Sequence, residues 1–110
     1  MLLYYDYMEY LFNIKDIKGH NIGRIDDNCI VFDLHGKKVG HVTTDGYVFD
    51  VLNHKVGHLM PDGKIYDDKL KHVGIVRDDG VALDMMEHVV GKAIPPHMQF
   101  GAAALLLLFR

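Results

Sequence analysis

One phrase, close to Val-Gly-x-Val, then a turn, then an apolar strand ending in aspartate, returns every 17 residues without insertion or deletion. Its glycines are Gly23, Gly40, Gly57, Gly74 and Gly91, preceded by Ile22, Val39, Val56, Val73 and Val90. Asp16, Asp33, Asp50, Asp67 and Asp84 close the second strand of each unit. Unbroken spacing of this kind requires each unit to occupy the same environment as its neighbours, so it constrains architecture far more than chemistry.

The clearest unit runs from Val39 to Asp50, with two β-branched and aromatic runs flanking Asp45-Gly46. Asp-Gly between such runs predicts a hairpin with a type I′ turn, whose positive φ both residues tolerate. Asp62-Gly63 and Asp79-Gly80 repeat the signal, whereas the first unit carries Asn28-Cys29. Cysteine is a poor replacement for glycine, so a looser turn with an exposed thiol is expected there. About five linker residues, such as Leu34 to Lys38, separate one hairpin from the next.

Residues 12–16 align with a second strand that has no partner, and residues 89–94 with a first strand that has none. Pairing the two makes a fifth hairpin and closes a ring, which removes the sheet edges that invite aggregation. An open stack would need polar caps, and both ends of the repeat region are apolar. The expected fold is therefore mainly β: a closed ring of about five short hairpins, followed by an apolar C-terminal helix.

The aligned columns then acquire meaning. Ile14, Val31, Val48, Ile65 and Ala82 form one apolar column, and Ile25, Val42, Leu59, Val76 and Ala93 a second. Phe32, Phe49, Tyr66 and Leu83 form a third, broken at Lys15. Two apolar faces suit short strands covered on both sides, by the ring interior and by linkers or terminal segments. The repeated glycine predicts a positive-φ bulge or a close backbone approach near the axis.

The Val-Gly-x-Val, Asp-Gly and Val-Phe-Asp elements of residues 39–50, with their counterparts one period on, resemble the β-flower domains of small bacterial proteins. In those, four or five hairpins splay like petals around an axis. The resemblance covers residues 12–94 and implies the fold without a settled activity or catalytic residues. Cys29, and Tyr5-Asp6-Tyr7-Met8 where another Val-Gly unit would fall, depart from the pattern.

At 110 residues the chain is a single domain with material for a real core. Its net charge of −3 shows no basic nucleic-acid footprint. Cys29, the one cysteine, excludes an internal disulfide. The Met1-Leu2-Leu3-Tyr4-Tyr5 start lacks signal-peptide features, so the cytoplasm is the default compartment. Tyr4, Tyr5, Tyr7 and Tyr10 in residues 1–11 are expected to cover an apolar face of the ring.

Residues 95–110 begin with Pro95-Pro96, suited to starting a helix, and continue into ten apolar residues, Phe100 to Phe109. That run is too short for a bilayer, which takes about 20 residues. A helix apolar all round must be buried all round. Burying its four leucines is worth on the order of 6–12 kcal/mol, so the tail reads as a plug or a subunit joint rather than a membrane-surface anchor, which would want a basic face. The chain is thus expected to be a homo-oligomer or a self-plugged monomer, with no transmembrane segment and no nucleic-acid partner.

Several constellations invite a chemical reading. The five aspartates of the repeat would repel one another as a cation site, and an aspartate ending a strand ordinarily accepts backbone N–H groups of its turn. Their expected role, like that of the five glycines, is structural. His20, Lys37, His54, Lys71 and His88 share a column just before the first strands, and Lys38, Lys55 and His72 lie in the next. A ring would bring them into a belt able to attract a small anionic ligand, although a solvated loop face is the simpler reading. His41 and His58 hold equivalent places, but Arg24, Ile75 and Lys92 complete their column, so no metal site is expected. The acidic pair Asp26 and Asp27 disfavours a Cys29 thiolate, and the chain contains no serine. No cofactor motif is present. The sequence therefore predicts a non-enzymatic structural or interaction module that self-associates, with the anion-binding rim as the alternative.

Overall fold

The structure, a computed structural model, describes residues 12–110, so the aromatic residues of the 1–11 segment lie outside it. Ten strands follow one another in the chain. They are β1 (Ile14–Asp16), β2 (Asn21–Ile25), β3 (Ile30–Asp33), β4 (Lys38–Val42), β5 (Tyr47–Asp50), β6 (Lys55–Leu59), β7 (Lys64–Asp67), β8 (His72–Val76), β9 (Val81–Leu83) and β10 (Val89–Ala93). Each pairs antiparallel with its sequence neighbours, and β1 pairs with β10 to close the barrel. At that seam Ile14 faces Ala93, Lys15 faces Lys92 and Asp16 faces Gly91. The two orphan strand fragments complete each other, as the closed ring requires, and the hairpin count is five.

Every strand-to-strand connection within the chain is equally tight. In the turn after β1, the Gly19 amide donates to the Asp16 carbonyl (3.0 Å) and the Asp16 amide to the His20 carbonyl (2.9 Å). The same two bonds recur at 33–37, 50–54, 67–71 and 84–88, and again at 26–30, 43–47, 60–64 and 77–81 on the opposite end. Only the fourth residue of each turn has positive φ: Gly19, Gly36, Asn53, Leu70 and Glu87 at one end, Cys29, Gly46, Gly63 and Gly80 at the other. This is a type I turn followed by one left-handed residue, the three-residue hairpin loop with a bulge, and it replaces the expected type I′ turn. It also replaces the expected linkers: the five residues from Asp33 to Lys37 are themselves a hairpin turn, and Lys38 begins β4. Cys29 is a further correction. Its turn has the same geometry as its glycine siblings, with φ 62°, and its side chain is buried rather than exposed.

Antiparallel alternation puts the two aliphatic columns on the inside. Ile14, Val31, Val48, Ile65 and Ala82 are fully buried, and Ile25, Val42, Leu59, Val76 and Ala93 nearly so. The Phe32, Phe49, Tyr66 column faces outward and is half-exposed. It is not covered by linkers; strand neighbours stack on it instead.

The helix α1 (Met98–Leu108) runs inside the ring. It begins two residues beyond the Pro95-Pro96 pair, whose mutual peptide bond is cis, so proline does not occupy its first turn. Near its start Gly101 lies against Ala93, Ile25 and Ile14, and a Cβ there would come within 2.8 Å of the Ala93 methyl. Ala102, Ala103 and Ala104 are fully buried. Small helix residues thus pass where the barrel's inward side chains already fill the lumen. Further along, the repeated glycines leave the lumen open, and consecutive large side chains fill it. Leu105 covers Gly91, Leu106 Gly74, Leu107 Gly57, Leu108 Gly40 and Phe109 Gly23. One residue of this tail, the last being the C-cap Phe109, serves each repeat, in reverse order of the chain. A residue advances by a little more than a quarter turn of helix, a repeat by a fifth of the ring, and flexible leucine side chains absorb the difference.

The repeated glycines do not adopt positive φ. Close approach alone accounts for them: a Cβ at Gly57 would sit 2.5 Å from the Tyr66 carbonyl oxygen and 2.6 Å from Leu107 Cδ1.

The seam has its own device. In four repeats the amides of Val42, Leu59, Val76 and Ala93 donate to the carbonyls of Cys29, Gly46, Gly63 and Gly80, the left-handed turn residues. The corresponding amide in the first repeat, that of Ile25, donates to a side chain instead. Asn13 takes the turn's place. Its Oδ1 accepts from the Ile25 amide (2.9 Å) and its Nδ2 donates to the Ile25 carbonyl (3.1 Å). The Asn13 main-chain carbonyl meanwhile accepts from the Ile94 amide, the bond that other turns make internally.

Candidate functional site

The meander sorts its turns into two rims. Turns 16–20, 33–37, 50–54, 67–71 and 84–88 lie at one end of the barrel, and turns 26–29, 43–46, 60–63 and 77–80 at the other with the seam.

The five aspartates of the repeat build the first rim. Each accepts two backbone amides on Oδ1, from residues two and four positions ahead; for Asp50 these are Leu52 and His54, both at 2.9 Å. Asp16, Asp33, Asp67 and Asp84 repeat the arrangement. The backbone donors hold these four carboxyl groups below the usual aspartate range, the amide four residues ahead contributing most. The carboxylates are thus directed into their own turns. Among the described residues no three His, Cys, Asp or Glu side chains are grouped to hold a metal ion.

His20, Lys37, His54, Lys71 and His88 all fall on this rim, each at the end of its turn and exposed. His20, His54 and His88 each place Nδ1 3.3–3.8 Å from Oδ2 of the aspartate four residues before. The column is therefore a belt around the circumference, one member per turn, and not a converging pocket. Lys38 and Lys55 add exposed charge beside it.

The sequence reading missed what lies between these charges. Among the described residues every exposed large hydrophobic side chain is at this rim: Ile17, Leu34, Val51, Leu52, Leu70, Met85, Met86 and, at the start of β10, Val89. Ile17, Leu34, Val51 and Met85 stand 17 residues apart in a column broken at Asp68, whereas Leu52, Leu70, Met86 and Val89 fall in columns otherwise held largely by polar residues or glycine. Their common location emerges only when the turns are gathered at one end.

The opposite rim has a different character. Its turns carry Asp26, Asp27, Asp45, Asp62, Asp78 and Asp79, with Arg77 bound to Asp79 at 2.7 Å. Cys29 is buried at its edge, and burial, helped by the Asp26 carboxylate, pushes the thiol pKa up, against any nucleophilic role.

The outer wall is banded by stacked rings. Tyr47 and His58 stack with centroids 4.0 Å apart, and His58 Nε2 donates to the Asp45 carbonyl. His41 stacks on Phe49 and His72 on Tyr66, while the Arg24 guanidinium lies 4.2 Å over Phe32. His41 and His58 thus serve cross-strand packing.

No family model matches the chain, and no curated protein or solved structure is similar to it. Among the described residues no helix is long and apolar enough to cross a membrane.

Proposed function

We propose that this chain is a non-enzymatic interaction module, a β-flower-like ring plugged by its own helix, which presents the aspartate rim to a partner. One observation carries the reading: the exposed large hydrophobic residues, scattered through the sequence, gather on that rim. A solvated surface scatters such residues singly, and their concentration at one place marks an interaction site. The interior supports the same view, since α1 occupies the axis where a ring protein would hold a ligand. The apolar tail that favoured self-association in the sequence lies within the chain's own ring, so pairing of copies falls to the rim.

The small-anion reading has less support. Its histidines are already matched with turn aspartates, and its lysines are distributed around the circumference.

A photocrosslinking amino acid at position 52, on the rim, compared with one at position 45, on the opposite end, tests the proposal in living cells. Discrete adducts from position 52 alone are expected. Equal yields from both positions, or none from either, would refute it.

A further inference from the structure

The outer wall repeats one cross-strand pairing around the ring, and the seam breaks it. Arg24 faces Phe32, His41 faces Phe49, His58 faces Tyr66 and Ile75 faces Leu83. Each of these four pairs includes an aromatic or aliphatic side chain. At the seam the equivalent pair is Lys92 and Lys15. Like charges directly opposite one another destabilise a sheet, and here no ring separates them. Lys15 Nζ donates to a neutral acceptor, Asn21 Oδ1, at 2.6 Å. Among the described residues no carboxylate forms an ion pair with either lysine.

A groove of about 260 Å³ lies beside the pair, with Ile17, Val81 and Val89 as its apolar lining. Asp16 and Arg77 also border it. Both have partners of their own: the Asp16 carboxylate accepts the Lys18 and His20 amides, and Arg77 is bound to Asp79. Lys15 and Lys92 are thus left as cations on an apolar groove without a counter-charge. We propose that residues 1–11 strap back over this wall, with tyrosine rings and the carboxylates of Asp6 and Glu9 covering the two lysines.

The chain itself supplies the grounds for this occupant. Phe12 stands two residues before Ile14, so the segment leaves from the end of the strand pair that carries the lysines. Residues 1–11 contain four tyrosines, three leucines, Asp6 and Glu9, and no lysine or arginine. They bring what the seam lacks, rings and negative charge. A tyrosine face attracts an ammonium group, and the wall already uses the contact where Lys55 Nζ lies 5.0 Å from the centre of the Tyr47 ring. Reach is sufficient. The five residues of β10 extend about 17 Å. Eleven residues cover about 16 Å as a helix and about 36 Å when extended. The strap is independent of the rim reading, since Leu52 and Leu70 lie outside the groove.

Limited chymotrypsin digestion of the full chain, followed by mass spectrometry, tests the proposal through cleavage after Tyr5, Tyr7 and Tyr10. Lys15→Glu with Lys92→Glu should speed that cleavage about tenfold. Asp6→Lys with Glu9→Lys should release the segment as well, and this pair lies outside the barrel and leaves the barrel's melting temperature unchanged or slightly lowered. All four substitutions together restore opposite charges. The quadruple variant should be cut about tenfold more slowly than Asp6→Lys with Glu9→Lys, whose segment has the same sequence. Equal rates within each of these matched comparisons overturn the strap. Protection that grows with protein concentration overturns it too, because the segment then comes from a second copy. If the segment is cut at one rate throughout while inorganic phosphate raises the melting temperature of the wild type and not of Lys15→Gln with Lys92→Gln, the lysines serve an external anion and the assignment falls.

Discussion

Asn13 Oδ1 accepts the Ile25 amide hydrogen at 2.9 Å, the bond that a turn carbonyl accepts in each of the other four repeats. A single side-chain amide thereby supplies the Ile25 backbone with both an acceptor and a donor. Asn13 is only 3% exposed, so water does not compete for these groups. Asn13→Ala would leave the Ile25 amide and carbonyl without these side-chain partners. We expect a loss of about 2–3 kcal/mol in urea unfolding. Asn13→Asp should do no better, because it discards the donor and buries a carboxylate. A change of less than about 0.5 kcal/mol would show that the seam is satisfied in some other way.

Gly57 and Gly36 are constrained in different ways, and their substitutions should separate accordingly. Gly57→Ala drives a methyl into the Tyr66 carbonyl and Leu107, a backbone contact that cannot move aside cheaply. The expected cost is about 3 kcal/mol. Adding Leu107→Ala should not restore stability, since the carbonyl remains. Gly36 has open space around it, and only its φ of 79° resists a side chain. Gly36→Ala should cost about 1 kcal/mol. Comparison of the two midpoints checks the assignment of steric clash to one and backbone conformation to the other.

Much of this architecture could be read from the spacing alone. The two unpaired strand fragments required closure, and Ile14 and Ala93 do face each other. The aliphatic columns were visible because burial demands similar residues at equivalent positions. Three things were hidden, each for a physical reason. The turns of the aspartate rim read as linkers in the sequence, because their left-handed position is Gly19 and Gly36 in two repeats but Asn53, Leu70 and Glu87 in the others, so no column of turn glycines marked them. The matching of Leu105 through Phe109 to successive glycines joins two periodicities that lie in different parts of the chain. The apolar crown of the aspartate rim draws on several columns, one of them Ile17, Leu34, Val51 and Met85, but the gathering of exposed residues at one end of a closed barrel is a property of topology rather than of spacing.

Acid should weaken the fold through the rim aspartates. The carboxyl groups of Asp16, Asp33, Asp67 and Asp84 are held below their ordinary 3.8 by backbone donors. A depressed native pKa means that the unfolded chain binds protons first as pH falls. The stabilisation is therefore complete above the unfolded value and disappears as pH drops through the lowered native ones. Melting temperature should be insensitive to these groups near neutrality and should fall below about pH 4. Asp33→Asn with Asp67→Asn should retain most of the neutral-pH stability, since the amide oxygen still accepts both bonds, and should flatten the acid slope. Asp33→Ala should lower the melting temperature at neutral pH as well. An acid profile unchanged by the asparagine pair would place the titration elsewhere.

Leu70 offers a substitution expected to improve the fold. Its backbone holds φ 65° and its side chain is 83% exposed, so truncation removes no core contact and relieves left-handed strain. Leu70→Gly should raise the unfolding free energy by about 1 kcal/mol, net of glycine's greater freedom in the unfolded chain. Leu70→Asn should give part of that gain, because asparagine tolerates the same conformation. The comparison is most informative alongside crosslinking from position 52. A residue kept for the fold would lose stability on replacement, whereas one kept for an external surface should show the opposite pairing: a higher unfolding midpoint and a lower yield of crosslinked adducts. Should Leu70→Gly unfold at lower urea than the wild type, the leucine makes a contact within the domain, and its contribution to the crown would have to be reassigned.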